Sequence, residues 1–92
     1  MKTKTYRYII NGRVQGVSFR YYTLRSAREH LISGTVKNLY NGDVDVYAQG
    51  DEENIKRFES FLHAGPPSAV VKKVIKEELE TTDKYYGFEI IF

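Results

Sequence analysis

Hydrophobic and polar positions alternate between Thr5 and Val14: Tyr6, Tyr8, Ile10 and Val14 fall on one face, Arg7, Ile9 and Arg13 on the other. A period of two marks a half-buried strand, with Ile9 blurring its polar side. Gly12 and Gly16 then announce a loop, and from Phe19 to about Ile32 the period lengthens. On a helical wheel Phe19, Thr23, Leu24, Ala27 and Leu31 form one stripe, opposed by Tyr21, Arg25, Arg28 and an out-of-place Ile32, which predicts an amphipathic helix. Gly34 restarts the chain, Thr35–Tyr40 suits a strand, and Asn41-Gly42 is a strong short hairpin signal. Asp43–Gln49 alternates again, with Val44, Val46 and Ala48 on one face. Asp51 is placed to cap a second helix, and Glu52 and Glu53 suit the positive end of its dipole. Ile55, Phe58, Phe61 and Leu62 supply that helix with an apolar stripe, and Gly65-Pro66-Pro67 stops it. In the strand Val70–Leu79 the apolar residues change phase around Lys72-Lys73, which predicts a bulge or bend. Phe88–Phe92 suits a short final strand.

The order is β-α-β-β-α-β with one small strand added. That is the α+β ferredoxin-like sandwich: an antiparallel sheet, two helices on one face and a short extra C-terminal strand, in a single domain over residues 1–92. In this topology the first two strands run parallel, separated by a third. Their C-terminal ends therefore share one sheet edge, which gathers the Arg13–Ser18 loop, the start of the first helix and Asn38. A functional site is expected there.

Ninety-two residues suffice for one domain with a thin core. The absence of cysteine excludes disulfides, thiolate nucleophiles and zinc ribbons, and two histidines alone make a poor metal site. No apolar run approaches the ~18 residues of a membrane span, and the lysine-rich start lacks the apolar region of a signal peptide. A soluble cytoplasmic domain without membrane attachment is expected. Charge sharpens the picture: residues 1–46 carry +5 and residues 47–92 carry −3, and no acid precedes Glu29. The basic half suits an anionic partner, either a phosphorylated small molecule or a nucleic acid, although a plain solvated basic face gives the same count.

The segment Gly12-Arg13-Val14-Gln15-Gly16-Val17-Ser18-Phe19-Arg20 joins a strand to a helix N-terminus. Unpaired loop amides and the helix dipole bind phosphate-sized anions there without any side chain. Alone this is a weak signal, and the Gly-Lys-Ser/Thr of a nucleotide-binding loop is missing. Arg20 strengthens it. A cation in the first helical turn meets the positive end of the dipole, at a cost of ~0.3–1 kcal/mol. Arg20 also falls within the apolar stripe, with no acid near it in sequence, and its side chain leans back over the loop. A bound anion accounts for all three features; snorkelling or a distant carboxylate is the alternative. Asn38 puts a carboxamide in phase with Val36 on the apolar side of a strand, where asparagine is depleted, for a site or for the turn at Asn41-Gly42. His30 and His63 sit near helix C-termini and read as structural.

Gly12 to Arg20 resembles the Gly-x-Val-Gln-Gly-Val-x-Phe-Arg signature of acylphosphatases. Gly34-Thr35-Val36-Lys37-Asn38 with its following hairpin is similar to their second signature, Gly-x-Val-x-Asn. The resemblance spans essentially the whole chain; Asp45, where the family often has glutamate, is a mild departure. It implies hydrolysis of the carboxyl–phosphate bond of acyl phosphates, without metal or cofactor. Arg20 and Asn38 are the implied catalytic residues, Arg20 on the phosphoryl oxygens and Asn38 on the attacking water. Arg13, Val14, Gln15, Gly16, Val17 and Ser18 are the implied substrate-binding loop. The implied partners are an acyl phosphate and inorganic phosphate, as product and inhibitor. A monomer standing alone is expected, rather than one domain of a larger maturation protein.

The main rival is a nucleic-acid binding module of the same topology. Its basic-Gly-aromatic-Gly-aromatic strand is missing, and Asp43 and Asp45 oppose a phosphate backbone on the strand that should carry it. A small-molecule binding domain without turnover is the second rival; phosphate release from an acyl phosphate separates it from an enzyme.

Overall fold

The computed structural model describes residues 2–92. Its elements are β1 (Thr3–Arg13), α1 (Phe19–Glu29), β2 (Ser33–Asn38), β3 (Val44–Asp51), α2 (Glu52–Ala64), β4 (Val70–Leu79) and β5 (Phe88–Ile90). The sheet order is β4-β1-β3-β2-β5; β5 lies parallel to β2 and every other neighbouring pair is antiparallel. This is the ferredoxin-like βαββαβ fold with one added strand.

Alternation decides which face the helices cover. Tyr8 and Ile10 of β1, Val36 of β2 and Val44, Val46 and Ala48 of β3 are fully buried. They pack with Phe19, Thr23 and Ala27 of α1 and with Ile55, Phe58 and Leu62 of α2. The opposite face carries polar pairs. Arg7 holds Asp45 with two parallel bonds, Nε to Oδ1 and Nη2 to Oδ2, both 3.0 Å, and stacks over Tyr47. Because β4 and β5 lie on opposite edges, the segment joining them must cross the sheet. It meets this face at Gln49, whose Nε2 donates to Thr82 O and to Thr5 Oγ1.

The phase change at Lys72-Lys73 is a bulge: Asn11 pairs with Lys73 but Gly12 with Val71, leaving Lys72 as the extra residue. Gly12 makes it possible, since at φ 142° a Cβ would stand 2.0 Å from Val70 O. Four details depart from the sequence pattern. First, α1 ends at Glu29, and Leu31, in a left-handed conformation, is 78% exposed while Ile32 is buried. The reversal takes these two residues off the helical wheel and exchanges their places. Second, Phe61 is partly exposed, held against the rings of Tyr22 and His30 instead of the core. Third, Asp51 precedes α2, but its side chain makes no capping bond; Glu52 N donates to Lys2 O. Fourth, β2 stops at Asn38, so its hairpin with β3 has a five-residue loop, Leu39–Asp43, closed by Leu39 N to Asp43 O.

One polar junction ties three elements together. The Tyr8 hydroxyl of β1 donates to Glu59 Oε2 of α2 at 2.7 Å, and Lys76 Nζ of β4 lies 2.8 Å from the same oxygen. Burial pushes the Glu59 carboxyl up, but hydrogen bonds from Lys76 and Tyr8 outweigh it and hold the group below its ordinary value of 4.5. A carboxyl lowered in the folded state adds stability above its unfolded value, and that stability is lost as pH falls through the folded one. Urea unfolding at a series of pH values is therefore expected to show Glu59→Gln less stable at neutral pH, with a shallower decline below pH 4.5 than the parent chain.

Candidate active site

The loop from Val14 to Ser18 leaves β1 and enters α1 between buried anchors. Val14 is 1% exposed, Val17 packs on the core, and Phe19 is buried at the head of the helix. Between the anchors the backbone is unusual. Gly16 has φ 73° and Ser18 has φ 62° and ψ 25°, both left-handed, with Val17 between them outside that region. Alternating handedness of this kind turns successive N–H groups toward a common concavity. No amide from Gln15 to Tyr21 donates to an acceptor among the described residues. The Ser18 side chain does not cap the helix either. The loop therefore presents a set of unspent donors where the α1 dipole adds partial positive charge.

Around these donors lies a cavity of about 370 Å³, lined by loop residues Val14, Gln15, Gly16 and Ser18, by Arg20, and by Asn38 at the end of β2. The expected edge of the sheet does bring these groups together. Arg13 and Val17 do not line the cavity: Arg13 ends β1 as an exposed residue paired with Val70, and Val17 faces the core. Arg20 is half-buried and has no carboxylate partner among the described residues; its guanidinium lies 5.1 Å from the centre of the Phe92 ring. α1 has no acid in its first turn to neutralise it.

Asn38 carries a second unspent group. Its Oδ1 is buried without a hydrogen-bond partner among the described residues. An unmatched buried acceptor costs about 1–3 kcal/mol, a price that packing alone does not explain. Turning the carboxamide by 180° exchanges Oδ1 and Nδ2, so whichever way it faces, one polar atom is left for something other than protein.

Two contributions are not visible in the local sequence. The Gln15 side chain spans the gap between loop and hairpin, its Nε2 donating to Leu39 O at 2.8 Å and to Asp43 O at 2.9 Å. It thereby fixes the Val14–Ser18 loop against the segment that follows Asn38. Ile90 and Phe92 close the cavity from the far end of the chain, brought there because β5 pairs in parallel with β2 and Ile91 N donates to Val36 O. Among the described residues, no group of three or more His, Cys, Asp and Glu is arranged to hold a metal ion. Nor is any helix of the described residues long and apolar enough to cross a membrane.

Comparisons with known proteins converge on one family. The acylphosphatase family model matches residues 6–90. An acylphosphatase of Vibrio vulnificus (strain CMCP6) is 41% identical over 91 residues, covering 99% of this chain and 100% of the relative. One from Archaeoglobus fulgidus is 45% identical over 83 residues, covering 90% of this chain and 92% of the relative. The crystal structure of acylphosphatase from Bacillus subtilis has a TM-score of 0.93 to this structure at 32% identity, covering 97% of this chain and 99% of that one.

The Gln15 tether has a measurable consequence. Leu39 O and Asp43 O keep their backbone donors, Gly42 N and Leu39 N, if the side chain is lost. Gln15→Leu is therefore expected to fold, with stability lowered by about 1–3 kcal/mol for two bonds, and to exchange the Leu39 and Gly42 amides faster. Unchanged exchange at both amides would show that the hairpin holds itself.

Proposed function

The chain belongs to the acylphosphatase family, and on that premise we propose how its loop, Arg20 and Asn38 divide the work. The activity is of the acylphosphatase type: hydrolysis of an acyl phosphate to a carboxylate and inorganic phosphate. The observation that carries the proposal is the convergence of unspent groups on one cavity: loop amides, an arginine without a carboxylate, and an unmatched carboxamide.

The amides from Gln15 to Ser18 and the Arg20 guanidinium hold the phosphoryl oxygens. Phosphoryl transfer depends on positioning and on stabilising charge spread over those oxygens, and a forked guanidinium contacts two of them at once. The Asn38 carboxamide holds water opposite the leaving group. As the water oxygen bonds to phosphorus, the bond from phosphorus to the carboxyl oxygen breaks. Its electron pair leaves on the carboxylate, and the water's protons pass to phosphate and solvent. A carboxylate is stable unprotonated at neutral pH, so the step needs no general acid. The proposal includes a monomer acting in the cytoplasm on small molecules; the cytoplasmic part accords with a chain that has no cysteine and, among the described residues, no helix long and apolar enough to cross a membrane. Nucleic acid is disfavoured because β3 presents Asp45, already engaged by Arg7, where an RNA-binding strand needs bases and aromatics.

Arg20→Gln is expected to weaken inhibition by inorganic phosphate by roughly 10–150-fold, the worth of one charge-assisted contact, and Arg20→Lys to restore only part of it. Asn38→Ala is expected to slow turnover by roughly 100-fold or more while phosphate inhibition changes far less. A folded Arg20→Gln chain with unaltered phosphate inhibition refutes the first role. Collapse of phosphate affinity in Asn38→Ala, with turnover intact, refutes the second.

Leaving-group chemistry gives a separate test. Acetyl phosphate is expected to be hydrolysed with a chelator present. A simple alkyl phosphate must expel a far stronger base, and each 1.36 kcal/mol of added barrier costs a factor of ten. It is expected to inhibit without being consumed. Comparable turnover of both classes, measured as phosphate release, would reveal a proton donor at the cavity.

A further inference from the structure

A second hollow of about 360 Å³ lies between α1 and the C-terminal end of α2, sharing only Ser18 and Tyr21 with the candidate active site. Its walls are apolar: Tyr21, Tyr22, Phe61, Pro66 and Pro67. The rings among them are held by mutual contacts. The Tyr22 hydroxyl donates to Phe61 O at 2.9 Å, and the Tyr22 ring centre lies 5.9 Å from that of Phe19 and 6.4 Å from that of Phe61. The His30 ring supports Phe61 from 5.1 Å. Phe61 leaves the apolar stripe of its helix to stand here, 40% exposed, where a flat apolar group would cover it. The polar groups of the hollow all come from α1. Ser26 is 5% exposed, and its Oγ has no hydrogen-bond partner among the described residues. A helix offers such a hydroxyl the carbonyl four residues back: Thr23 Oγ1 takes this outlet, donating to Phe19 O at 2.9 Å, whereas Ser26 leaves Tyr22 O unused. Arg25 lies 6.0 Å from the centre of the Tyr21 ring, and Glu29 follows one turn later. Neither is ion-paired among the described residues, to the other or to anything else.

We propose that this hollow binds a free α-amino acid with a flat apolar side chain. Its carboxylate meets Arg25, its ammonium meets Glu29, and its side chain lies against Tyr22, Phe61 and the two prolines. The Ser26 hydroxyl serves either charged group, since it both donates and accepts. Residues four apart on a helix have Cβ atoms about 5–6 Å apart, so Arg25 and Glu29 both reach two charges carried on one carbon. A cavity of this size falls in the range that encloses small ligands. An aromatic anion would leave Glu29 facing it uncompensated, and an aromatic cation would do the same with Arg25. The site uses neither the loop amides nor Arg20, and it stands apart from the hydrolysis proposed for them.

Amide-resolved NMR titration with phenylalanine, hydrocinnamate and phenethylamine tests it, because the last two each lack one of the two charges. Phenylalanine is expected to shift the Tyr22, Ser26 and Phe61 amides saturably, and to bind about three- to ten-fold more tightly than either analogue. Arg25→Gln is expected to erase its advantage over phenethylamine, and Glu29→Gln its advantage over hydrocinnamate. Both positions are exposed, so these variants are expected to fold. Ser26→Ala is expected to weaken phenylalanine several-fold without lowering the urea midpoint, since the hydroxyl it removes has no partner in the folded chain. Lost stability with unchanged affinity in that variant would make Ser26 structural and remove it from the site. The absence of a saturable shift in the millimolar range overturns the proposal. So do shifts centred on Gly16 and Asn38, which would put the ligand in the candidate active site. Hydrocinnamate or phenethylamine binding the parent chain as tightly as phenylalanine would make the ligand a simple aromatic anion or cation, and overturns the amino-acid assignment.

Discussion

The backbone amides from Gln15 to Tyr21 meet no acceptor within the described residues, and much of the molecule is arranged so that they can stay that way. A loop with unpaired donors would ordinarily relax to pair them or collapse onto the protein. Here its ends cannot move. Val14 and Phe19 are buried in the core, Val17 is packed against it, and Gln15 is bonded to two carbonyls of the hairpin. Ser18 shows what this restraint sustains. A left-handed residue other than glycine costs roughly 1–2 kcal/mol, and it persists only where its neighbours over-determine the chain.

Two pairs of like residues differ in whether their polar groups are matched. Arg7 is matched to Asp45 by two parallel bonds, while Arg20 has a phenyl ring beside it and no carboxylate partner among the described residues. Gln49 is buried with its amide donating to Thr5 and Thr82, while Asn38 keeps a buried oxygen with no partner. In each pair the satisfied member sits on the helix-free face, which needs only to be stable. The unsatisfied member sits at the edge where the parallel strands β1 and β2 both end. The difference is not one of residue type or of burial but of what has been withheld from the group.

That contrast also explains how far the sequence could be read. The strands were legible because one side of each faces the core, so period two survives in Tyr8-Ile10 and Val44-Val46-Ala48. The slip at Lys72-Lys73 even carried the bulge opposite Gly12. Arg20 and Asn38 stood out because each breaks the pattern of its own element. Leu31 and Ile32 were misplaced because the chain leaves the helix before them, and a wheel cannot register a reversal. Phe92 was invisible as a site residue: its place depends on a three-residue parallel strand pairing with β2, far too short to show a period. The Gln15 tether was hidden likewise, since a side chain reaching two carbonyls across a gap leaves no trace in spacing.

Topology supplies the positive site, and sequence keeps it from being cancelled. Any chain with this strand order brings a helix N-terminus to the shared end of β1 and β2, so partial positive charge there belongs to the fold. What a particular chain must do is keep its own anions away. No acid occurs before Glu29, and the next two in sequence, Asp43 in the hairpin and Asp45 in β3, are occupied elsewhere. Asp43 accepts from Asn11 and Asn41 outside the cavity, and Asp45 is held by Arg7 on the far face. With Asp43 and Asp45 engaged elsewhere, the loop amides and Arg20 keep the cavity positive, and in the role proposed for them a phosphoryl group supplies the several oxygens such a cradle requires.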